Sequence, residues 1–349
     1  MKTDWRGTSI LRSTSAALGL LVLLAVQANG ADPDPRQSAE GVSVSLRFSW
    51  KLKGEYAPLF VARQNGYFVE EGLNVSLNEG AGPTAAFASL VKGSDQISWM
   101  PGIYGMQATS QGMPLKIIAL YNDSAPLVIA SWPEKPIRTP ADLMGKKIAM
   151  SAGETGAVFM PILCEKNHID CSKIQFVQMA SGATVPAFIA RQVDAVPVYR
   201  SNDLPIMKGK YGDVFVELDE AKWGLVAPGS ALVATNDYIA QHPDILVKFV
   251  RAANRGFEFC QKEPLEAAKL MLKQWQASLS PEIVAEQIKG LTGASVRYPG
   301  KPVGYISPDV ISEGLRELKT AGQIEALKPE HLYYTNEIVD RVGATGGTR

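Results

Sequence analysis

Histidine and cysteine are scarce in this 349-residue chain, three of each. His168, His242 and His331 lie far apart and no CxxC pair occurs, so the spacing holds no zinc-type ligand set. Neither charge sign prevails, with 35 basic against 35 acidic residues and no tract of either, which excludes the electrostatic footprint of a nucleic-acid binder. HExxH, GxSxG and GxxxxGK[ST] are missing, and with them the signatures of zinc proteases, serine hydrolases and phosphate-loop enzymes. No cofactor is implied. The longest apolar run, Ala16 to Val26, falls short of the roughly twenty residues that span a bilayer.

That run follows Lys2, Arg6 and Arg12 and precedes the small residues Ala28 and Gly30, the arrangement of a secretory signal peptide over 1–30. A membrane anchor is the weaker reading. Loss of 1–30 removes three basic residues and one acid, leaving the exported chain two acids in excess. No cysteine stands near the cleavage position to carry a lipid, so a freely diffusing periplasmic protein is expected. Export permits disulfides. Cys164 and Cys171 flank the polar turn Glu165 to Asp170 and are either bridged or free; Cys260, in an apolar helical pattern with Phe257 and Phe259, reads as a buried thiol.

Hydrophobic residues at 46% supply two cores of roughly 100 to 150 residues each. From Val42 to Trp50 they alternate with Ser43, Ser45, Arg47 and Ser49, the period of a strand. A polar face is unusual in a central parallel strand, so these serines either pack as small residues or place the strand near a sheet edge. Then follow a helix (Tyr56 to Asn65), a strand (Asn74 to Leu77), a helix (Pro83 to Val91), a strand (Gln96 to Trp99), a helix (Tyr104 to Ser110) and a strand (Leu115 to Tyr121). Such alternation predicts a parallel sheet covered by helices. Leu127 to Trp132 leads through a Pro-rich passage into a second series, with strands Lys147 to Ser151, Ile174 to Met179, Ala195 to Tyr199 and Val214 to Leu218 and helices near Val158, Val185 and Leu204. After the extended run Ala231 to Thr235 the pattern is helical, with helix starts at Pro243, Pro264, Pro281 and Pro308 and caps at Ser280 and Ser307. The fold expected is α/β with two lobes, 42–128 plus 232–340 and 129–231, joined by two hinge crossings. The cleft between them is the default site.

One motif invites an enzymatic reading. Gly80-Ala81-Gly82-Pro83-Thr84-Ala85 is a GxGxxA pattern between strand and helix, yet where a dinucleotide site wants an acid, about twenty positions on, stands Ser98-Trp99-Met100-Pro101-Gly102. Gly82 is read either as a ligand contact at a helix N-terminus or as tight packing.

Several segments together carry a family resemblance. Glu55-Tyr56-Ala57-Pro58-Leu59-Phe60-Val61-Ala62, then Gly66-Tyr67-Phe68 and Glu71-Gly72-Leu73-Asn74-Val75, then Gly112-Met113-Pro114-Leu115-Lys116 and Asp142-Leu143-Met144-Gly145-Lys146-Lys147, resemble in wording and order the periplasmic binding proteins for sulfonates, taurine, nitrate and the thiamine pyrimidine precursor. The likeness runs over most of the exported chain. It implies the type II two-lobed fold, a small solute as ligand, and a membrane permease with its ATPase as partners, with no enzymatic activity. In the pyrimidine-precursor binders a Tyr-x-x-Asn-Glu motif follows a second-lobe strand; Tyr199-Arg200-Ser201-Asn202-Asp203 resembles it with the carboxylate one methylene shorter. Trp50 stands where the family places an aromatic residue that stacks on a planar ligand.

Each candidate also has a plainer role. Trp50 and Tyr199 either meet the ligand or pack in the core, and Asp203 either contacts it or caps a helix beginning at Leu204. Glu55 and Tyr56, in the loop after the first strand, face the crevice or solvent. Trp99 and Tyr104 fall on the rim, and Asn122 follows the fourth strand. Glu154 and Thr155, between Gly153 and Gly156, bring N–H groups from a helix start. Helix N-termini favour an anion, whereas Glu55, Glu154 and Asp203 favour an amine; Lys51, Lys53 and Arg200 blur the sign. A planar aromatic or heterocyclic solute is expected, the thiamine pyrimidine precursor being the leading case and an alkanesulfonate, taurine or another small anion the alternative. A ligand sensor would share these features. A pyrimidine synthase of the same fold would want a cysteine-rich motif that this chain lacks.

Overall fold

The computed structural model describes residues 41–152, 154–180 and 182–345; the leader expected over 1–30 lies outside them. The first series comprises β1 (Val42–Phe48), α1 (Ala57–Gln64), α2 (Tyr67–Glu70), β2 (Leu73–Asn78), α3 (Pro83–Val91), β3 (Ile97–Pro101), α4 (Gly102–Ser110) and β4 (Leu115–Leu120). The second comprises β5 (Leu127–Ser131), β6 (Lys147–Ser151), α5 (Thr155–Lys166), β7 (Gln175–Met179), α6 (Thr184–Ile189), β8 (Ala195–Tyr199), α7 (Asp203–Tyr211) and β9 (Val216–Asp219). β10 (Ser230–Thr235) precedes a helical remainder of α8 (Asn236–Gln241), α9 (Pro243–Lys262), α10 (Pro264–Leu272), α11 (Pro281–Gly293), α12 (Pro308–Thr320) and α13 (Glu337–Thr345).

The described strands form two five-stranded sheets, ordered β2-β1-β3-β10-β4 and β7-β6-β8-β5-β9. In each, the fourth strand alone runs antiparallel to both neighbours. The direction follows from the path. Parallel strands of both lobes end at the cleft, so a chain that leaves one lobe there must enter the other with its N-terminal end first. β5 and β10 are the strands made directly after the two crossings. The sheet changes between Leu120 and Leu127 and again between Asp219 and Ser230.

The polar face of β1 is resolved without moving it to an edge, because β1 lies between β2 and β3. Val44, Leu46 and Phe48 enter the core, while on the other face buried Asp95 accepts from Ser45 Oγ at 2.6 Å and pairs with Arg47 Nε at 2.6 Å. Asn78 Nδ2 also donates to Ser45 Oγ at 2.8 Å. The alternation therefore encodes one apolar face and one satisfied polar cluster.

The two crossings are bonded to each other. Tyr121 N–H donates to Ser230 O at 2.8 Å, Gly229 N–H to Asn122 O at 2.9 Å and Ala125 N–H to Ala227 O at 2.6 Å. Proline starts α9, α10, α11 and α12, where the missing N–H leaves no bond unmade. Ser280 caps α11 by accepting from Ile283 N–H; Ser307 holds the N-cap position of α12 without a side-chain cap bond. The strandless remainder has one isolated bridge, Ile117 to Tyr334. Cys164 and Cys171 form a disulfide, and Cys260 is a free, buried thiol.

Glu220, at the start of the turn after β9, is wholly buried with neither carboxylate oxygen hydrogen-bonded. Burial, and then the neighbouring Asp219, push its pKa from 4.5 up to about 8. The folded protein keeps this group neutral while the unfolded chain ionises it, so its contribution to stability is intact below about pH 4.5 and is lost as pH rises toward 8. Glu220→Gln is expected to match the wild type near pH 4 and to exceed it above about pH 8 by up to roughly 4 kcal/mol, measured by urea unfolding across that range.

Candidate ligand-binding cleft

A cavity of about 550 Å³ opens between the lobes, where β1, β3, β6 and β8 end and β5 and β10 begin. Its position follows from the crossing geometry, since every parallel strand delivers a loop there. Trp50, just past β1, lines it and is 43% exposed. The glycine loop sets this residue in place. Gly80 lies so close to β1 that a Cβ would stand 1.9 Å from Phe48 O, and a Cβ on Gly82, at φ +116°, would meet the Trp50 ring at 3.3 Å. Gly80 N–H donates to Trp50 O and Gly82 N–H to Ser49 O, at 3.0 and 2.8 Å. Both donors are consumed by the chain, so the GxGxxA pattern is packing here, and Gly82 offers no N–H to a ligand.

Two polar clusters close across the cavity. From the first lobe, Lys53 Nζ pairs with Glu55 Oε1 at 2.9 Å, and Ser201 of the second lobe donates to Glu55 Oε2 at 2.8 Å. Burial alone would lower the Lys53 pKa, but Glu55, Tyr56 and Tyr199 together outweigh it and raise it. The ammonium also sits 5.4 Å from the Tyr56 ring centre and 5.7 Å from that of Tyr199. On the other side Thr155 Oγ1 accepts from Tyr199 OH at 2.8 Å and lies 3.0 Å from Tyr104 OH, so first-lobe Tyr104 meets second-lobe Thr155. Burial raises the pKa of both phenols, keeping them neutral donors.

The sign of the cleft is now legible. Glu55, Glu154 and Asp203 line it against the single ammonium of Lys53. Lys51 instead pairs outward with Glu79, and Arg200 turns to Glu217 and Asp219. Burial raises the pKa of Asp203; Lys53 opposes the rise and Glu154 and Glu55 add to it. Of the helix N-termini at the cavity, α5 carries Glu154 at its N-cap and α7 begins with Asp203, so two positive ends meet a carboxylate of the chain. α3 opens with Pro83, which removes one N–H, and α6, whose first residues Thr184 and Val185 line the cavity, has no acidic residue in its first turn.

Of the residues singled out from the sequence, Trp50, Glu55, Tyr104, Glu154, Thr155, Tyr199, Asn202 and Asp203 line the cavity. Four others do not, Gly82 of the glycine loop being one. Trp99 is buried in the first-lobe core, stacked 4.9 Å from Tyr121, and Tyr56 is buried against Phe48 at 4.1 Å. Asn122 is buried at the first crossing and donates from Nδ2 to Leu291 O at 2.8 Å. Trp99 is not at a strand end, because β3 runs on to Pro101 and leaves the indole in the core. Asp203 is not the cap of α7; that position is held by Asn202. Gly153 lies outside the described residues. Lys53, noted only for its charge, is central, and Ser201 has no signal short of the folded contact with Glu55, 146 residues away.

The sequence profile of the NMT1/THI5-like family matches residues 53–267, more than half of the chain. This chain belongs to the NMT1/THI5-like family. Relatives include the formylaminopyrimidine-binding protein of Halalkalibacterium halodurans, 24% identical with 83% of this chain and 87% of that protein covered. The riboflavin-binding protein RibY of Chloroflexus aurantiacus is 24% identical, with 92% and 96% covered. The 4-amino-5-hydroxymethyl-2-methylpyrimidine phosphate synthase of Legionella pneumophila is also 24% identical, with 65% and 72% covered. Among solved structures, the periplasmic aliphatic sulphonate binding protein SsuA of Escherichia coli superposes with a TM-score of 0.68 at 15% identity, covering 83% of this chain and 91% of that one. The NMT1/THI5-like match takes in Lys53, Glu55 and the Tyr199 to Asp203 loop but begins after Trp50.

Removing one partner of the buried pair should reveal its coupling. Lys53→Met leaves Glu55 with Ser201 alone and is expected to destabilise the protein by about 3 kcal/mol, whereas Lys53→Met with Glu55→Gln should recover more than half of that. Urea unfolding of the four members of the cycle reads the coupling.

Proposed function

We propose that this chain is the extracytoplasmic substrate-binding component of an ATP-driven importer, closing on a small, planar, nitrogen-bearing heterocycle of which the thiamine pyrimidine precursor is the type. The observation that carries this reading is the cavity's charge: three carboxylates to one ammonium, beside Trp50, Tyr104 and Tyr199. Carboxylates accept from ring amino groups and protonated ring nitrogens, and aromatic faces stack on flat rings. The same carboxylates repel a sulfonate or nitrate, and two of the helix ends that would attract one, those of α5 and α7, already carry an acidic residue. Two of the relatives are named for binding ring systems, a formylaminopyrimidine and riboflavin, which supports the same class. Import is inferred from the fold shared with periplasmic binding proteins.

Binding rather than catalysis is the better reading of this cleft, although some relatives are named as synthases. The described residues that line it include no histidine and no cysteine. Its acids and phenols are arranged to hold and orient.

Thermal shift and calorimetry with 4-amino-5-hydroxymethyl-2-methylpyrimidine, riboflavin, taurine and nitrate test the reading. A rise in Tm of several degrees is expected with the aminopyrimidine at a hundredfold excess over Kd, and none with taurine or nitrate. Asp203→Asn should weaken that binding about tenfold or more. Binding of taurine or nitrate without the pyrimidine would overturn the assignment.

A further inference from the structure

Away from the cavity, α11 of the first lobe is pressed against α7 and the loop before it in the second. Gln287 on α11 is wholly buried and does not line the cavity. Its Oε1 accepts from Gly54 N–H at 2.9 Å, between the solute-facing residues Lys53 and Glu55. Its Nε2 donates to Asn202 O at 3.0 Å, next to Asp203. One amide thus links the loop of each lobe that presents charge to the cleft. Nearby, Gly290 is so close to the second lobe that a Cβ would lie 2.2 Å from Arg200 O and 2.7 Å from Ser201 N. Further along, a Cβ on Gly209 of α7 would come within 2.7 Å of Ile283. At Gly290 the neighbours are backbone atoms, so a side chain there would block the approach of the lobes; at Gly209 the neighbour is only the Ile283 side chain.

We infer that Gln287 and Gly290 are positioning residues that hold the lobes closed and so set solute affinity without touching the solute. Only the closed arrangement joins Gly54 to Asn202 through Gln287, so the three groups share one fate: when the lobes part, the buried amide loses a bond and must find water. Apparent affinity falls in proportion to the closed fraction, whatever the solute, so both residues should scale the binding of all ligands equally. Ligand contacts, by contrast, change their ranking. The inference does not depend on which solute binds.

Its test needs no solute. In a Gly209→Cys, Ile283→Cys background, oxidised glutathione should trap the closed form of the ligand-free protein as a disulfide, read on non-reducing gels. Adding Gln287→Ala is expected to slow trapping at least about fivefold and Gly290→Ala at least about tenfold. Gly290→Ala is the sharper probe, because alanine favours the helix and should leave the lobe's fold intact, which a thermal melt checks. Lys269→Ala, exposed on α10 beside Glu266 and away from the seam, should trap at the unmodified rate. Failure of the two cysteines to join, or an unchanged rate in either variant, would overturn the inference, while leaving the nature of the solute untouched.

Discussion

The bonded pair of crossings is the constraint on which the rest of the molecule depends. Because Tyr121, Asn122 and Ala125 are tied to Ser230, Gly229 and Ala227, the chain passes between lobes as a short two-stranded ribbon. Such a ribbon bends more readily than it shears, which is the property a hinge between two lobes requires. It also dictates that β5 and β10 enter their sheets from the cleft side, which makes each the antiparallel strand of an otherwise parallel sheet. Loops at the parallel strand ends then converge on one cavity.

Within that cavity, the chain settles its own electrostatics before any solute arrives. The ends of α5 and α7 would attract an anion if left bare, but Glu154 and Asp203 already stand at them. Lys53 pairs with Glu55, and Glu154 and Asp203 add acidic groups to the same lining. A fold neighbour named for binding a sulphonate shares the architecture at 15% identity, a likeness of fold alone. A common fold positions the loops; the side chains on them decide what is held. The seam of α7 and α11 adds a further layer, linking the loops of both lobes outside the cavity.

Much of the fold was legible in the sequence. Period-two and helical patterns with proline starts placed β6 and β8, α3 and the four proline-led helices at or near their observed bounds, since each signal is local. The serines of β1 were harder, because whether they mark an edge depends on Asp95, fifty residues away from Ser45. In the cleft, Trp50, Glu55, Tyr104, Glu154, Thr155, Tyr199, Asn202 and Asp203 were found from strand-end positions and from likeness to a family. Trp99, Tyr56 and Asn122 lie near strand ends as well but are buried, a distinction set by the tertiary packing of the first lobe. Ser201 and Gln287 carry no local mark, for their partners lie on the opposite lobe. Long-range partners of single polar side chains are what one sequence does not encode visibly.

The central claim is that the cleft selects for a planar, hydrogen-bond-donating ring over a small anion. Native mass spectrometry of protein drawn directly from the cells that make it, followed by identification of the released molecule, addresses it most directly. A neutral or cationic nitrogen heterocycle is the expected cargo. A bound sulfonate, nitrate or other small anion would contradict the account.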